Sequence, residues 1–310
     1  MSEPLVSVIM PAYNAENYID TAIRSILNQT LTDWELLIVD DASTDRTYEI
    51  ARSYRDCRVK VIRNEVNKGP GFSRNTAMLI ARGKYIAVLD ADDAYKPERL
   101  ERLLSEIRFS NDIFVSDLLT MCFDKQGILV PWRTVRLSKL RNFKDKTTVG
   151  LKEYLDAGGP GIKPIFPRAL VLESKLSFCN LRFGEDLDFW IQLFNAGLRL
   201  RIVSDSYYLY RISPGSLSAS ISGDVMSILD KWANAASTSS EERQAFLRLK
   251  ERILSLIRYE DFARNLKSGR IGAALRMALR YPDVAIRLFQ RTPEIVSSRL
   301  LAVREGVKLR

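Results

Sequence analysis

Histidine is absent from this chain of 310 residues. Its absence excludes a Ser-His-Asp triad, a Cys-His pair, zinc held by imidazole and an imidazole general base. Acid–base chemistry must therefore fall to Asp, Glu, Lys, Tyr or Cys. Cysteine is scarce as well, and its three copies, Cys57, Cys122 and Cys179, lie far apart without metal-type spacing. We expect reduced thiols and a cytoplasmic protein.

Long apolar runs are also missing. No window approaches the roughly 18 uninterrupted apolar residues of a membrane-spanning helix, and the N-terminus lacks the pattern of a secretory signal. Charge is unevenly distributed. Residues 248–310 contain fifteen Lys and Arg and six Asp and Glu, so their net charge is +9. The whole chain also has a net charge of +9, and residues 1–247 are therefore neutral overall. A basic tail of this kind suggests an anionic partner, either lipid or nucleic acid.

The first hundred residues alternate apolar strands with amphipathic helices. Strands are predicted at 5–10, 35–39, 58–63 and 85–89, the first of them ended by Pro11, and helices at 18–29, 44–53, 71–82 and 97–109. Apolar strands separated by helices are typical of βαβ units and a parallel sheet. In such sheets ligands bind beyond the carboxyl ends of the strands, and here those ends carry Pro11, Tyr13, Asp40, Asp41 and the run Asp90-Ala91-Asp92.

Three carboxylates follow the fourth predicted strand within four positions: Asp90, Asp92 and Asp93. Alternate residues of a strand share a face, so we expect Asp90 and Asp92 to point the same way. Neighbouring carboxylates repel each other, and a divalent cation with hard oxygen ligands would compensate them. The alternative is that Asp92 or Asp93 caps the helix that follows.

The turn after the first strand decides against dinucleotide enzymes, because it reads Pro11-Ala12-Tyr13-Asn14-Ala15-Glu16 and contains no glycine. Its residues suit a mononucleotide diphosphate better. Tyr13 can stack on a base or pack on the sheet edge, and Asp40 or Asp41 can accept the imide N–H of uracil, although Asp41 can also cap a helix.

Two basic residues suit the phosphates. Lys68 and Arg74 can contact phosphate oxygens, Arg bidentately, although Arg74 can also be a solvated helix residue. Asp90 can accept a ribose hydroxyl, and Asp92 can bind a metal that bridges the two phosphates.

Five blocks in sequence order carry a family resemblance: 6–14 (VSVIMPAYN), 39–45 (VDDASTD), 67–69 (NKG) with 73–75 (SRN), 89–93 (LDADD) and 184–186 (GED). Together they resemble the family 2 glycosyltransferases of the GT-A fold, over about residues 4–215. The resemblance implies an α/β, Rossmann-like, mostly parallel sheet flanked by helices. It places a catalytic domain at 1–220, with a nucleotide-binding half to about 110 and an acceptor half after it, and a basic helical extension at 221–310.

The resemblance also implies a nucleotide-diphospho-sugar donor, often UDP-linked, Mn²⁺ or Mg²⁺, and transfer with inversion. By position, Tyr13 and Asp41 or Asp40 would hold the base beside Pro11, with Lys68 and Arg74 near the phosphates. Asp90 would lie near the ribose, and Asp92, with Asp90 as a second candidate, on the metal.

Asp186 matches the family's general base and Glu185 lies beside it, although carboxylates at a helix start are also favoured by its dipole. Trp190, one turn later, could stack on an acceptor sugar or belong to the core. Many relatives have a His shortly after a Tyr-x-x-Tyr-Arg stretch. Because this chain has none there, Arg211, Ser213 or Ser216 would take that role.

The expected reaction is sugar transfer to a lipid-linked oligosaccharide or polysaccharide in bacterial exopolysaccharide, capsule or lipopolysaccharide assembly. The alternatives are a catalytically inactive sugar-nucleotide-binding subunit and a sugar nucleotidyltransferase, whose glycine-rich loop is missing here. The tail would either bind anionic lipid at the inner face of the cytoplasmic membrane or pack as a helical appendage. Nucleic acid is not expected, because the tail lacks any recognised nucleic-acid motif.

Overall fold

The computed structural model describes residues 3–107, 112–125, 128–135, 147–159, 161–181, 183–212 and 223–284. Its helices are α1 Ile19–Leu27, α2 Thr47–Ser53, α3 Pro70–Ile80, α4 Arg99–Ile107, α5 Leu151–Asp156, α6 Arg168–Glu173, α7 Glu185–Asn195, α8 Gly223–Ala233, α9 Ser240–Lys267 and α10 Ile271–Arg280. Its strands are β1 Val6–Ala12, β2 Trp34–Asp40, β3 Val59–Arg63, β4 Tyr85–Val88, β5 Ala94–Tyr95, β6 Ile113–Lys125, β7 Ile128–Val135, β8 Thr147–Val149, β9 Ile165–Pro167 and β10 Arg199–Ile212.

The predicted parallel sheet is confirmed in the first half of the chain. Strands β3, β2, β1 and β4 lie in that order, and every pairing among them is parallel. All seven positions of β1 and of β2 are buried. Burial on both faces explains why these strands are continuously apolar rather than alternating.

Pro11 does not end the first strand, contrary to the sequence expectation. It lies within β1 opposite Val39 and is buried. The pairing of β1 with β4 stops at Ile9 and Val88, two residues earlier. A proline that lacks an N–H costs little there, because the ladder on that side has already ended.

The strands after residue 110 extend the same sheet with mixed pairings. Strand β9 joins β4 to β6 in antiparallel fashion, and β10 runs parallel to β6 and antiparallel to the short β5. In this half the predicted fold class holds, an α/β sheet flanked by helices, but antiparallel strands interrupt the parallel order.

Two glycines allow close packing of helices α3 and α7, Gly184 against α8 and Gly71 against the segment that contains Cys179. Gly184 precedes α7 with φ of +86°, and a Cβ there would lie 3.0 Å from Cδ1 of Ile228. A Cβ on Gly71, in the first turn of α3, would lie 2.5 Å from the carbonyl oxygen of Cys179. Only glycine permits this backbone conformation without strain and this close approach.

The chain divides into two compact units, residues 1–246 and 247–310, so the first unit reaches past the predicted boundary at 220. In the second unit, Tyr259, Phe262, Ala274 and Val284 form a small apolar cluster. Among the described residues no helix combines the length and apolarity needed to cross a bilayer.

Candidate active site

The loops after β1 and β2 are joined by hydrogen bonds. The amide of Asn14 donates to Oγ of Ser43 over 3.0 Å, and the amide of Thr44 donates to Oδ1 of Asn14 over 2.9 Å. Between them Tyr13 is half exposed, at 50%. Its ring is therefore accessible to a planar ligand and is not packed into the sheet edge.

The two carboxylates after β2 differ in environment. Asp40 is fully buried, and its Oδ2 lies 3.2 Å from Nε of Arg63. Asp41 accepts hydrogen bonds from the amides of Lys68 and Gly69, at 3.0 and 2.7 Å. Asp41 therefore holds the loop that leads into α3. Its alternative role as a cap of α2 is wrong, because Asp45 accepts the amide of Thr47 there.

Lys68 lies on this same loop. Its Nζ is 4.4 Å from the ring centroid of Phe72, an arrangement that leaves the ammonium on an exposed face. The predicted phosphate contact of Lys68 is compatible with this position and stays a prediction.

The Asp-Ala-Asp run forms a turn and not the end of a strand. Strand β4 stops at Val88, and the amide of Asp93 donates to the carbonyl of Asp90 over 3.1 Å. The alternation of a strand therefore does not apply to Asp90 and Asp92, which have different surroundings. Asp93 does not cap a helix either: it is buried and accepts hydrogen bonds from Oη of Tyr208 and the amide of Arg211.

Asp90 is held by two cations. Its Oδ1 lies 2.7 Å from Nη2 of Arg74, and its Oδ2 lies 2.6 Å from Nζ of Lys163. Burial alone would raise the pKa of this carboxyl, but Lys163 and Arg74 outweigh burial and hold it well below its usual range. Because both oxygens are engaged, Asp90 is a poor candidate for a metal ligand, in contrast to the sequence expectation.

Asp92 has no ion-pair partner among the described residues, although the charges of Lys163 and Arg211 attract it at longer range. Its side chain is only partly exposed. Burial, followed by the charge of Asp90, raises its pKa to about 6. A carboxylate without a direct ion pair fits a divalent cation, since Mg²⁺ is commonly held by one or two carboxylates together with substrate phosphates.

The described residues contain no cluster of three or more His, Cys, Asp or Glu side chains arranged to hold a metal. The donor set thus fits a cation shared between Asp92 and a bound diphosphate, and not a cage built by protein groups alone.

Four charged side chains form a closed ring in which cations and carboxylates alternate: Arg74, Asp90, Lys163 and Asp186. Besides its contacts to Asp90, Nζ of Lys163 lies 2.7 Å from Oδ2 of Asp186, and Nη1 of Arg74 lies 3.1 Å from Oδ1 of Asp186. We call this set the charge ring. It joins the turn after β4 to the first turn of α7, and so connects residues that lie about 100 positions apart in the chain.

Glu185 is attached to the charge ring through Arg74, whose Nη1 lies 2.7 Å from its Oε1. Burial and the adjacent Asp186 raise the pKa of Glu185. Arg74 itself is buried, and the attraction of Asp186 and Asp90 outweighs burial and raises its pKa. Arg74 is therefore not a solvated helix residue, because it is buried. The expected bidentate contact with phosphate is also wrong for this structure, because carboxylates surround the guanidinium.

Lys163 was missed by the sequence analysis. It is 7% exposed and stands between Ile162 and Pro164, just before β9. Burial lowers the pKa of the ammonium, but Asp186 and Asp90 outweigh burial and raise it above its usual range. A lysine inside an apolar segment was the available signal, because buried lysines are rare unless paired.

Trp190 is not an acceptor platform. It is 1% exposed and packs against Phe166, Phe178 and Phe189, with ring centroids 5.4 to 6.2 Å apart. The alternative that it belongs to the core is correct, because α7 turns this side chain toward the sheet.

Arg211 is buried beneath the Asp-Ala-Asp turn. Its Nε donates to the carbonyl of Asp92 over 2.6 Å, Nη1 pairs with Asp124, and the guanidinium lies 4.8 Å from the ring centroid of Tyr18. Arg211 therefore stabilises the turn that carries Asp92. Ser213 and Ser216, the other proposed substitutes for the missing His, lie outside the described residues.

A cavity of about 650 Å³ lies on another face of α7, lined by Asp188, Gln192, Asn195 and residues of α8 and the 174–179 segment. Asp188 is buried at its base and accepts hydrogen bonds from Lys231, Trp232 and Gln192. None of the residues that line this cavity belongs to the charge ring.

Comparison with known proteins agrees with this geometry. The model of glycosyl transferase family 2 matches residues 7–160, and that of glycosyl transferase family group 2 matches residues 85–267. An uncharacterised glycosyltransferase of Methanocaldococcus jannaschii is 36% identical over 217 residues, which cover 68% of this chain and 72% of that protein.

Two further proteins carry a ligand or substrate in their names. The Escherichia coli UDP-Glc:alpha-D-GlcNAc-diphosphoundecaprenol beta-1,3-glucosyltransferase WfgD is 44% identical over 115 residues, 37% of this chain and 46% of WfgD. The crystal structure of S. aureus TarS residues 1–349 with UDP has a TM-score of 0.64 at 27% identity, and covers 81% of this chain and 72% of the TarS chain. The chain therefore belongs to glycosyltransferase family 2 and is a glycosyltransferase of the GT-A fold.

Proposed function

We propose that the protein is an inverting, metal-dependent glycosyltransferase that moves a sugar from a UDP-linked donor to a lipid-linked oligosaccharide or polysaccharide in bacterial surface polysaccharide assembly. The observation that carries this proposal is the charge ring, which brings Asp186 of the acceptor half and Asp90 of the donor half onto the same lysine. The proposed general base, Asp186, therefore lies next to Asp90, which we assign to the donor side of the site.

The reaction needs one base and one leaving group. Asp186 accepts the proton of the acceptor hydroxyl as its oxygen attacks the anomeric carbon and the bond to the nucleoside diphosphate breaks. A single displacement of this kind inverts the anomeric configuration. A divalent cation held by Asp92 and the diphosphate would offset the charge that develops on the leaving group.

The uracil ring of the donor would lie between Tyr13 and Asp41. Tyr13 offers an exposed ring for stacking, and Asp41, buried beneath the loop at 64–69, holds the backbone of that loop in place beside it. Pro11 forms the floor of this position at the carboxyl end of β1, and Lys68 lies at its side for phosphate oxygens. The UDP complex of the similar TarS structure supports a UDP-linked donor.

The name of the similar E. coli protein supports a diphosphoundecaprenol-linked acceptor. An acceptor of this kind lies in a membrane, and we place the protein at the inner face of the cytoplasmic membrane. Helix α10 exposes Ile271, Leu275 and Leu279 along one face, and Arg276 and Arg280 belong to the same helix. An apolar face with basic neighbours suits anionic lipid. Deletion of residues 247–310 should release the protein from anionic liposomes.

Calorimetric titration with UDP, GDP, CDP and ADP, each with and without Mn²⁺, tests the donor proposal. We expect metal-dependent binding of UDP that is lost in Asp92→Asn. Asp56→Asn is the matched control. Asp56 precedes β3 and therefore lies at the amino ends of the parallel strands, away from the proposed site at their carboxyl ends. Binding of none of the four by a folded protein would refute the proposal. Binding of UDP without any sugar transfer, across a panel of acceptors, would instead favour an inactive binding subunit.

A further inference from the structure

We propose that Lys163 is the positioning residue of the catalytic base: it holds the reactive oxygen of Asp186 in place and fixes it relative to the donor-side carboxylate Asp90. This inference rests on the proposed function, since it assigns Lys163 a part in the same transfer reaction.

The contacts of Asp186 single out one oxygen. Oδ1 is enclosed by the protein and has no hydrogen-bond partner among the described residues, although Arg74 lies 3.1 Å away. The side chain as a whole is 25% exposed, so its accessible surface belongs to its other atoms. An acceptor hydroxyl can therefore reach the carboxylate only through Oδ2, the oxygen to which Lys163 donates over 2.7 Å.

The position of Lys163 is itself fixed. Nη2 of Arg99 donates to its carbonyl oxygen, and Nη2 of the same Arg99 lies 2.8 Å from Oδ1 of Asp117, in a pair with no exposure on either side. At the far end of the side chain, Nζ contacts Asp90 and Asp186 together. With both ends restrained, the ammonium has little freedom, and the direction of Oδ2 is set before the acceptor arrives.

One ammonium therefore sets the separation of two carboxylates from different halves of the site. Without it, the cation contacts that remain among the described residues are both to Arg74, at 3.1 Å from Asp186 and 2.7 Å from Asp90. The base would then rotate away from the attack direction, while Tyr13 and Asp41, which the proposed function assigns to the nucleotide, keep their contacts. Asp92 has no ion pair with Lys163 among the described residues and interacts with it only through longer-range charge.

The test compares Lys163→Met with Lys231→Met. Lys231 also pairs with an aspartate of α7, Asp188, over 2.8 Å, but outside the charge ring. Turnover is followed as UDP release from UDP-glucose and UDP-N-acetylglucosamine, with diphosphoundecaprenol-linked N-acetylglucosamine as acceptor, and UDP affinity is measured by calorimetry. We expect Lys163→Met to lower kcat about 100-fold, the cost of a misplaced reacting group, with the UDP affinity of the wild type. Lys231→Met should keep the wild-type kcat.

A double-mutant cycle separates positioning from general damage. If Lys163 acts through Asp186, then Lys163→Met in an Asp186→Asn background has no further effect on kcat, because the two residues act as a unit. Lys163→Arg should recover part of the lost kcat, since a guanidinium can also bridge two carboxylates. It carries the same test if Lys163→Met does not fold.

Unchanged kcat in Lys163→Met, or losses that add in the double variant, would overturn the inference while leaving the proposed function in place. A wild-type protein that binds no nucleotide refutes the proposed function, and the inference falls with it.

Discussion

Arg74 and Glu185 are separated by 111 residues in the chain, and their side chains meet at 2.7 Å. The contact joins α3, which follows the loop at 64–69, to the first turn of α7, which carries the proposed catalytic base Asp186. Since Arg74 also contacts Asp90 and Asp186, a single buried guanidinium connects three carboxylates from two parts of the sequence.

Replacement of Arg74 by Met should destabilise the protein by about 3–5 kcal/mol, because it leaves buried carboxylates without their cation. Arg74→Lys should recover little, since one ammonium cannot reach all three partners. Thermal and urea unfolding measure the effect. Arg24→Met is the control, because Arg24 pairs with Asp20 at the surface and should leave the midpoint unchanged. Equal midpoints for the two variants would contradict a structural role for the charge ring.

Asp92→Asn should lose nucleotide binding without losing stability. The pKa of Asp92 in the folded chain, about 6, lies above its ordinary value of 3.8, so the ionised side chain disfavours the folded state at pH 7. An amide removes that cost, and the unfolding midpoint should stay equal or rise. The difference should be largest above pH 6 and shrink toward pH 4, where the native carboxyl is protonated. A lower midpoint at pH 7.5 would show that Asp92 is a structural residue.

The sequence predicts the nucleotide half well for a physical reason. Strands buried on both faces must be apolar throughout, and this pattern located β1 to β4 within two residues of their ends. The carboxyl ends of parallel strands lie at one edge of a sheet, so Tyr13, Asp41 and Asp92 could be named as candidates from the sequence, and their roles stay predictions.

The failures have physical reasons as well. Asp90 and Asp92 were expected to share a face because the strand was extended to its last carboxylate, but β4 ends at Val88 and a turn separates them. The apolar surroundings of Lys163 indicate a buried, paired lysine, but they do not identify its partners, which lie 23 and 73 positions away in the chain. Helical spacing places Trp190 on a face of α7 but does not reveal that Phe166 and Phe178 cover that face.

Glu35 should make stability depend on pH. It is 2% exposed and accepts hydrogen bonds from Oγ of Ser7, the amide of Arg82 and Nζ of Lys60, each between 2.8 and 2.9 Å. Burial raises the pKa of this carboxyl, but the hydrogen bonds from Arg82, Lys60 and Ser7 outweigh burial and lower it below its ordinary 4.5. Its stabilising contribution is therefore complete above pH 4.5 and is lost as pH falls through the lower, folded-state pKa.

Glu35→Gln should accordingly cost about 1–3 kcal/mol at pH 7, since hydrogen bonds to a buried charge are lost or weakened. The difference from the wild type should narrow in unfolding curves recorded below pH 4. Glu98→Gln, at an exposed position, is the control and should match the wild type at both pH values. A constant difference across this range would mean that the carboxylate charge contributes nothing.

Two leucines of nearly equal exposure can test membrane binding by the tail. Leu279 of α10 is 83% exposed and has Arg276 and Arg280 beside it in the helix, whereas Leu79 of α3 is 79% exposed in the catalytic unit. If α10 lies on lipid, Leu279→Gln should weaken co-sedimentation of the full chain with anionic vesicles, and Leu79→Gln should not. Binding should also fall with added salt, because the basic residues contribute through screened attraction. An equal effect of the two variants would place the contact elsewhere, since a nonspecific loss of apolar surface would affect both leucines alike.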